Sequence, residues 1–121
     1  MKVKDRLANK RFELDQKIVE KERTIDEMRQ TFREASRFLD ELEMEISRGF
    51  SEIQALNEEL IAQGSYQSHW ESVENQGKQH YLSQLLENER VELTKSHQSV
   101  INSLEEERSA IQKERNNLSW D

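Results

Sequence analysis

Three histidines and a large set of carboxylates are the side chains in this 121-residue sequence best suited to catalysis or metal binding. His69, His80 and His97 are separated by 11 and 17 residues, and no H-x-x-x-H or E-x-x-H pair directs two ligands at one ion. The sequence has no cysteine, so we expect neither a disulfide framework nor a thiolate metal site. His97 falls on an apolar stripe, which favours a structural histidine over a ligand.

Carboxylates cluster in sequence at Glu41, Glu43 and Glu45 and again at residues 105–107. Neighbouring residues of a helix point in different directions, so these clusters are typical of a solvated helix face rather than of paired catalytic acids. No glycine-rich phosphate loop, nucleophile elbow or C-x-x-C motif occurs. We therefore predict a non-enzymatic protein without catalytic residues, cofactor or metal.

The composition favours long helices over a globular enzyme core. Hydrophobic residues make up 33% and charged residues 36% of the chain, against about 45–50% and about 25% in ordinary globular domains. The sequence contains no proline and three glycines, too few for the frequent turns of an all-β fold. We expect one domain, residues 1–121.

The net charge of −7 argues against nucleic acid as a partner, because phosphate backbones require a basic field. Only residues 1–24 are basic, with eight Lys/Arg against five Asp/Glu. No apolar run approaches the roughly 18 residues of a membrane span, and no signal peptide is recognisable at the start. We expect no membrane association and a cytoplasmic location, with co-export alongside a client as an alternative.

A heptad pattern of apolar residues begins at Leu7 and predicts a first helix over about residues 4–62. Apolar residues alternate at spacings of three and four, with Arg11, Lys21 and Gly49 as exceptions, which is typical of a coiled-coil seam. The predicted frame is unbroken to Leu60. It places Ile18, Ile25, Phe32, Leu39, Ile46, Ile53 and Leu60 at a, and Leu7, Leu14, Met28, Ala35, Leu42 and Leu56 at d.

The pattern stops at a predicted turn over residues 63–67. Gly64 can adopt the left-handed conformation that closes a helix, and Ser68 with Glu71 matches a capping box that would start a second helix over about 68–117. Residues 118–121 are expected to form a short tail. The predicted fold is all-α, a long antiparallel two-helix coiled-coil hairpin.

The second helix has a mixed periodicity, in which Leu82, Leu93 and Leu104 recur every eleven residues. If the chain folds back at residues 65 and 66, Phe32 faces Val100, and Leu82 lies opposite Gly49. On this interpretation, glycine at position 49 leaves room for the bulky side chain of Leu82. The interpretation also makes Trp70 a cover that packs on Leu60 at the turn, and it leaves about ten residues of the first helix beyond the end of the second.

Several large apolar side chains lie outside the seam, so one partner helix cannot cover them all. Phe12 and Val19 occupy b positions, Phe38 a g position and Phe50 an e position. We expect these residues to bind a helical partner protein or a second copy of the chain. The predicted partner-binding residues are Leu7, Phe12, Val19, Phe38, Phe50 and Trp120.

The chain resembles the small helical proteins that accompany LXG toxins in Gram-positive type VII secretion. The resemblance rests on an all-helical hairpin, a Gly-Ser turn followed by Trp70, and a Glu/Arg-rich second helix that runs from Leu104-Glu105-Glu106-Glu107-Arg108 to Leu118-Ser119-Trp120. It implies an adaptor or chaperone that binds the helical N-terminal domain of its toxin, or a second small helical protein, and helps target the toxin for export.

The related WXG100 proteins carry a W-x-G turn and a Y-x-x-x-D/E export signal. Here Trp70-Glu71-Ser72 lacks the glycine, and Tyr66 and Tyr81 are followed four residues on by Trp70 and Leu85. These differences favour an adaptor over a self-exported protein. Two alternatives fit the same architecture: the coiled-coil stalk of a flagellar or type III secretion ATPase, and a structural homo-oligomeric coiled coil.

Overall fold

A computed structural model describes residues 2–118 of the chain. Within these residues the chain forms two long helices, α1 (Lys2–Ala62) and α2 (Tyr66–Asn116), and no strand. The two helices pack against each other, so the predicted all-α helical hairpin is confirmed. The end of α1 agrees with the prediction, whereas α2 begins two residues earlier than predicted.

The turn between the helices is a Schellman motif centred on Gly64. Gly64 has a φ of 94°, in the left-handed region that favours glycine. Its amide donates to the carbonyl of Ile61 at 2.9 Å, and the amide of Ser65 donates to the carbonyl of Leu60 at 3.1 Å. These two bonds satisfy carbonyls at the end of α1 that would otherwise have no helical partner.

Ser65 caps the start of α2. Its Oγ accepts a hydrogen bond from the amide of Ser68 at 3.2 Å, the bond expected between an N-cap residue and the third residue of a helix. The predicted capping box at Ser68 and Glu71 is therefore wrong by three residues. Because Ser65 both completes the Schellman motif and caps the next helix, the connection is very short.

The chain divides into two compact units. Unit 1 comprises Met1–Arg33 and Thr94–Asp121, and unit 2 comprises Glu34–Leu93. Each unit contains a segment of α1 and a segment of α2.

Unit 1 is held together by an apolar seam and by ion pairs between its two helical segments. Leu14, Ile18 and Ile25 are 1%, 9% and 3% exposed, which confirms their predicted seam positions. Cross-helix ion pairs join Lys21 to Glu107 at 2.6 Å, Arg29 to Glu105 at 3.1 Å and Asp15 to Arg115 at 2.9 Å. These pairs show the antiparallel register expected from the sequence.

Phe32 of unit 1 makes a contact that the sequence did not predict. Its ring stacks on His97, with ring centroids 4.1 Å apart and planes 10° from parallel. Val100, the residue predicted to face it, is 41% exposed. His97 is thus part of the packing between α1 and α2.

Unit 2 departs from the predicted heptad frame after Ile46. The inward-facing residues of α1 are then Phe50, Gln54, Asn57 and Ile61. The predicted seam residues Ile53, Leu56 and Leu60 are instead 43%, 60% and 44% exposed. Ile46 and Asn57 are eleven residues apart, and an eleven-residue repeat is typical of a nearly straight helix. The inward-facing positions of α1 therefore leave the heptad frame between these two residues.

The shift also changes the interpretation of Gly49. A Cβ atom built on Gly49 meets no atom within 4 Å, so the interpretation that glycine makes room for Leu82 is wrong. Gly49 stands at the edge of the seam, where the inward positions move from one stripe of α1 to the next.

Candidate partner-binding surfaces

The described residues expose more large apolar side chains than they bury. Five apolar residues form the buried core, and sixteen large hydrophobic residues are exposed. An apolar surplus of this kind on a chain that is 36% charged is typical of a protein that joins other helices. The exposed residues are Val3, Phe12, Val19, Met28, Phe38, Met44, Ile53, Leu56, Leu60, Tyr66, Trp70, Val73, Tyr81, Leu85, Val91 and Val100.

The residues predicted to bind a partner fall into both units. Phe12, Val19 and Phe38 are 64%, 48% and 63% exposed. Leu7 and Phe50 are half-buried. Leu7, Phe12 and Val19 belong to unit 1, and Phe38 and Phe50 belong to unit 2; Trp120 lies outside the described residues.

Phe12 is exposed because it lies outside the seam, as its b position predicts. An overhang of α1 was expected as a second reason, yet Lys10 pairs with Glu114 at 3.8 Å and Asp15 pairs with Arg115. The second helix therefore reaches this part of α1. Phe12 and Val19 are two residues before Leu14 and one after Ile18, on the outer side of the helix, and this position leaves them open to solvent.

A second exposed stripe, which the sequence did not predict, lies on α1 of unit 2. We call Ile53, Leu56 and Leu60 the outer stripe. Its residues keep the 3-4 spacing of a coiled-coil seam, but α2 does not cover them. The missed signal was in the opposite helix, where the first inward-facing positions are serines rather than apolar residues.

Polar side chains fill the space between the helices beside the outer stripe. Ser68, Ser72 and Asn57 are 4%, 6% and 5% exposed. The Ser72 hydroxyl donates to Oε1 of Gln54 at 2.9 Å. Asn57 Nδ2 has no hydrogen-bond partner among the described residues, so part of this layer is unfavourable. We call Gln54, Asn57, Ser68 and Ser72 the polar layer.

The first turns of α2 expose a further set of apolar residues. Trp70 is 71% exposed, so its predicted role as a cover over Leu60 is wrong. Its ring contacts His69 edge-on, with centroids 6.0 Å apart. Tyr66 and Val73 are 86% and 52% exposed. These residues point away from the polar layer because they alternate with Ser68 and Ser72 around the helix.

Unit 2 carries most of the negative charge. It contains 13 acidic and four basic side chains, a net charge of −9, whereas the rest of the chain has a net charge of +2. Arg90 donates to the carboxylates of Asp40 and Glu43, the latter at 2.6 Å. The pKa of the Arg90 guanidinium is raised above its ordinary value, and the hydrogen bond with Asp40 is the largest cause. Partial desolvation acts in the opposite direction and lowers the pKa.

The described surface contains no grouping of three or more His, Asp or Glu side chains that would hold a metal ion. Its depressions are shallow and open, such as the one lined by Asp40, Glu43, Met44, Ser47 and Arg48. In the part of the chain that the structure describes, neither helix contains an apolar stretch of the length and purity that crossing a bilayer requires. What the arrangement offers chemically is apolar stripes bordered by charge.

Comparison of the chain with protein-family models, with curated proteins and with solved structures gives no match.

Proposed function

We propose that this chain is a non-enzymatic helical adaptor or chaperone, which binds the helical N-terminal domain of a secreted toxin in the cytoplasm and helps target it to a type VII secretion system. The observation that carries the proposal is the excess of exposed over buried apolar side chains on α1 and α2. Covering one such side chain fully contributes about 1.5–3 kcal/mol. A partner helix that covers several of them therefore gains substantial binding free energy.

The position of these side chains on helices supports a helical client. Phe12 and Val19 are seven residues apart on the outer side of α1, the spacing at which one helix contacts another over two turns. Charged residues border them, which is typical of helix faces that associate in water and not in lipid. Type VII secretion as the setting rests on the resemblance to the accessory proteins of LXG toxins.

The test is capture of the client by the tagged chain in its native cells, with chemical crosslinking and identification by mass spectrometry. We expect a protein whose helical N-terminal domain precedes a toxin domain. The variant Phe12→Asp with Val19→Asp should lose it, because two carboxylates would be buried in the interface. Ser96→Asp with Ser103→Asp is the matched control, since it adds the same charge with the same seven-residue spacing at exposed positions of α2 in unit 1.

Three results would contradict the proposal. Capture that is equal for the native chain and for Phe12→Asp with Val19→Asp would exclude this face as the client site. Capture of a hexameric secretion ATPase in place of a toxin would favour the stalk. A stable self-assembly in light scattering, with no client captured, would favour a structural homo-oligomer.

A further inference from the structure

We infer that the outer stripe of unit 2 is a docking site for a basic amphipathic helix of another protein, with apolar residues at its own seam and Lys or Arg at the positions beside that seam. The inference rests on the proposed adaptor function and specifies the chemistry of the partner. Four observations carry it.

The first observation is that the outer stripe is a complete seam without a cover. Ile53, Leu56 and Leu60 occupy a, d and a positions of the same heptad frame that places Leu14 and Ile25 in the buried core of unit 1. Residues at these positions accept the knobs of a facing helix. In unit 2 the α2 segment leaves them 43%, 60% and 44% exposed.

The second observation is that the hairpin closes here on the polar layer, although apolar residues were available one position away. Each residue of the outer stripe immediately precedes an inward-facing residue, as Leu56 precedes Asn57. Asn57 is 5% exposed and its Nδ2 has no partner among the described residues. The intrachain contact therefore gains little at this point, while the apolar seam is kept for an external surface.

The third observation is the charge that borders the outer stripe. The g positions of this frame are Glu45, Glu52 and Glu59, all exposed. Residues at g pair with charged residues of the facing helix and determine which partner is accepted. Unit 2 as a whole has a net charge of −9. A facing helix with Lys or Arg at the matching positions is attracted, and an acidic one is repelled.

The fourth observation argues against a second copy of the chain as the occupant. The basic part of the chain is residues 1–24, where the seam residues are Leu14 and Ile18. These side chains are 1% and 9% exposed because they pack inside unit 1. The apolar residues that the basic segment does expose, Val3, Phe12 and Val19, lie nine and seven residues apart and form no 3-4 seam. The basic segment of another copy therefore has no free seam of that spacing to offer to the outer stripe.

Binding of two designed peptides, each about three heptads long, tests the inference. Both have Leu and Ile at a and d; one has Lys at every e and g position and the other has Glu, so neither pairs with itself. Fluorescence anisotropy of the labelled peptides with the full chain should show binding of the Lys peptide and about tenfold or greater weakening for the Glu peptide. Binding of the Lys peptide should weaken as salt is raised.

Three variants assign the binding to the outer stripe. Ile53→Gln with Leu56→Gln should weaken binding of the Lys peptide by about tenfold or more, because two seam contacts are lost. Val100→Gln, at a valine outside the stripe whose exposure is close to that of Ile53, should leave it unchanged. Glu52→Lys with Glu59→Lys should reverse the preference, so that the Glu peptide binds better. All these residues are exposed, and circular dichroism verifies that each variant remains helical.

Equal binding of both peptides, no binding of either, or loss of binding by Val100→Gln as large as that by the double variant would overturn the inference. So would a dimer of the chain alone that Ile53→Gln with Leu56→Gln converts to a monomer, since a second copy would then be the occupant. If the chain still captures the client but does not bind the Lys peptide, only this inference is contradicted and the proposed function stands. Lys-peptide binding without any toxin client supports the site and contradicts the adaptor function.

Discussion

At the scale of single residues, the side-chain amide of Asn57 is buried near the turn without a hydrogen-bond partner among the described residues. A buried polar group without a partner costs about 1–3 kcal/mol, and Asn57 Nδ2 is in this position among the described residues. We predict that Asn57→Ala raises the free energy of unfolding by about 0.5–1 kcal/mol, since alanine removes the amide and is a better helix former. Urea unfolding measures this change.

The control for Asn57 is Asn57→Asp, which should lower stability because it places a charge among acidic neighbours. If alanine were the more harmful of the two substitutions, Asn57 would have an essential hydrogen bond and the polar layer would be a source of stability.

The glycines give a second prediction at the residue scale. Gly49 and Gly64 both have open space where a Cβ would lie, but Gly64 alone has a φ in the left-handed region. Gly49→Ala should therefore stabilise the chain by about 0.5–1 kcal/mol, because glycine inside a helix is entropically unfavourable. Gly64→Ala should destabilise it by about 1 kcal/mol, because alanine is strained at that φ. Thermal unfolding of both variants checks the opposite signs.

A stability loss for Gly49→Ala would mean that α1 needs glycine at this point for a close approach not seen within the chain. An unchanged melting temperature for Gly64→Ala would contradict the Schellman motif as the end of α1.

At the scale of helices, Arg90 joins the two helical segments of unit 2. Its guanidinium, which is positively charged at all ordinary pH values, donates from α2 to the carboxylates of Asp40 and Glu43 on α1. The hydrogen bond with Asp40 is the largest cause of the rise in its pKa. We predict that Arg90→Gln lowers the melting temperature in low salt, since it leaves two carboxylates uncompensated. The loss should shrink at about 1 M NaCl, where charges are screened.

Lys78→Gln is the matched control for Arg90, because Lys78 pairs with Glu74 at 3.5 Å within α2 and does not join the helices through that pair. It should change the melting temperature less. A loss of equal size in both variants, or one that does not depend on salt, would mean that Arg90 acts through packing of its side-chain stem.

The extent of a helix was predictable where the signals for it lie within the sequence of that helix. The heptad from Leu7 predicted a single long α1, and Gly64 predicted its end. The shift of the seam at Ile46 was not predictable from α1 alone, because it depends on which residues of α2 lie opposite. Ser68 and Ser72 lie there, with Ser72 bonded to Gln54. Ser68 was interpreted only as part of a cap, and Ser72 was assigned no role in packing.

The candidate site was predicted in part for a similar reason. Phe12, Val19 and Phe38 stand outside any heptad seam and were identified from α1 alone. The outer stripe follows the seam pattern perfectly in sequence, so it was assigned to the core. Only the three-dimensional arrangement shows that α2 covers Gln54 and Asn57 in its place.

At the scale of the whole molecule, the two units differ in net charge, and the acidic unit also contains the outer stripe. Unit 2 has a net charge of −9 and exposes the outer stripe, whereas unit 1 contains 14 of the 18 basic residues. Charge of one sign beside an uncovered seam selects partners by repelling the wrong ones as well as by attracting the right one. The proposed adaptor thus has a basis for specificity as well as for affinity.

Methyl-resolved NMR of the chain, labelled at Ile, Leu and Val and titrated with the captured client domain, shows which apolar side chains the client covers. We expect the methyl signals of Val19, Ile53 and Leu56 to shift or broaden on binding, while those of the buried Leu14 and Ile25 change little. Perturbation confined to Leu14 and Ile25, or a client that leaves every exposed methyl group unchanged, would contradict the claim that these apolar surfaces are kept for a partner.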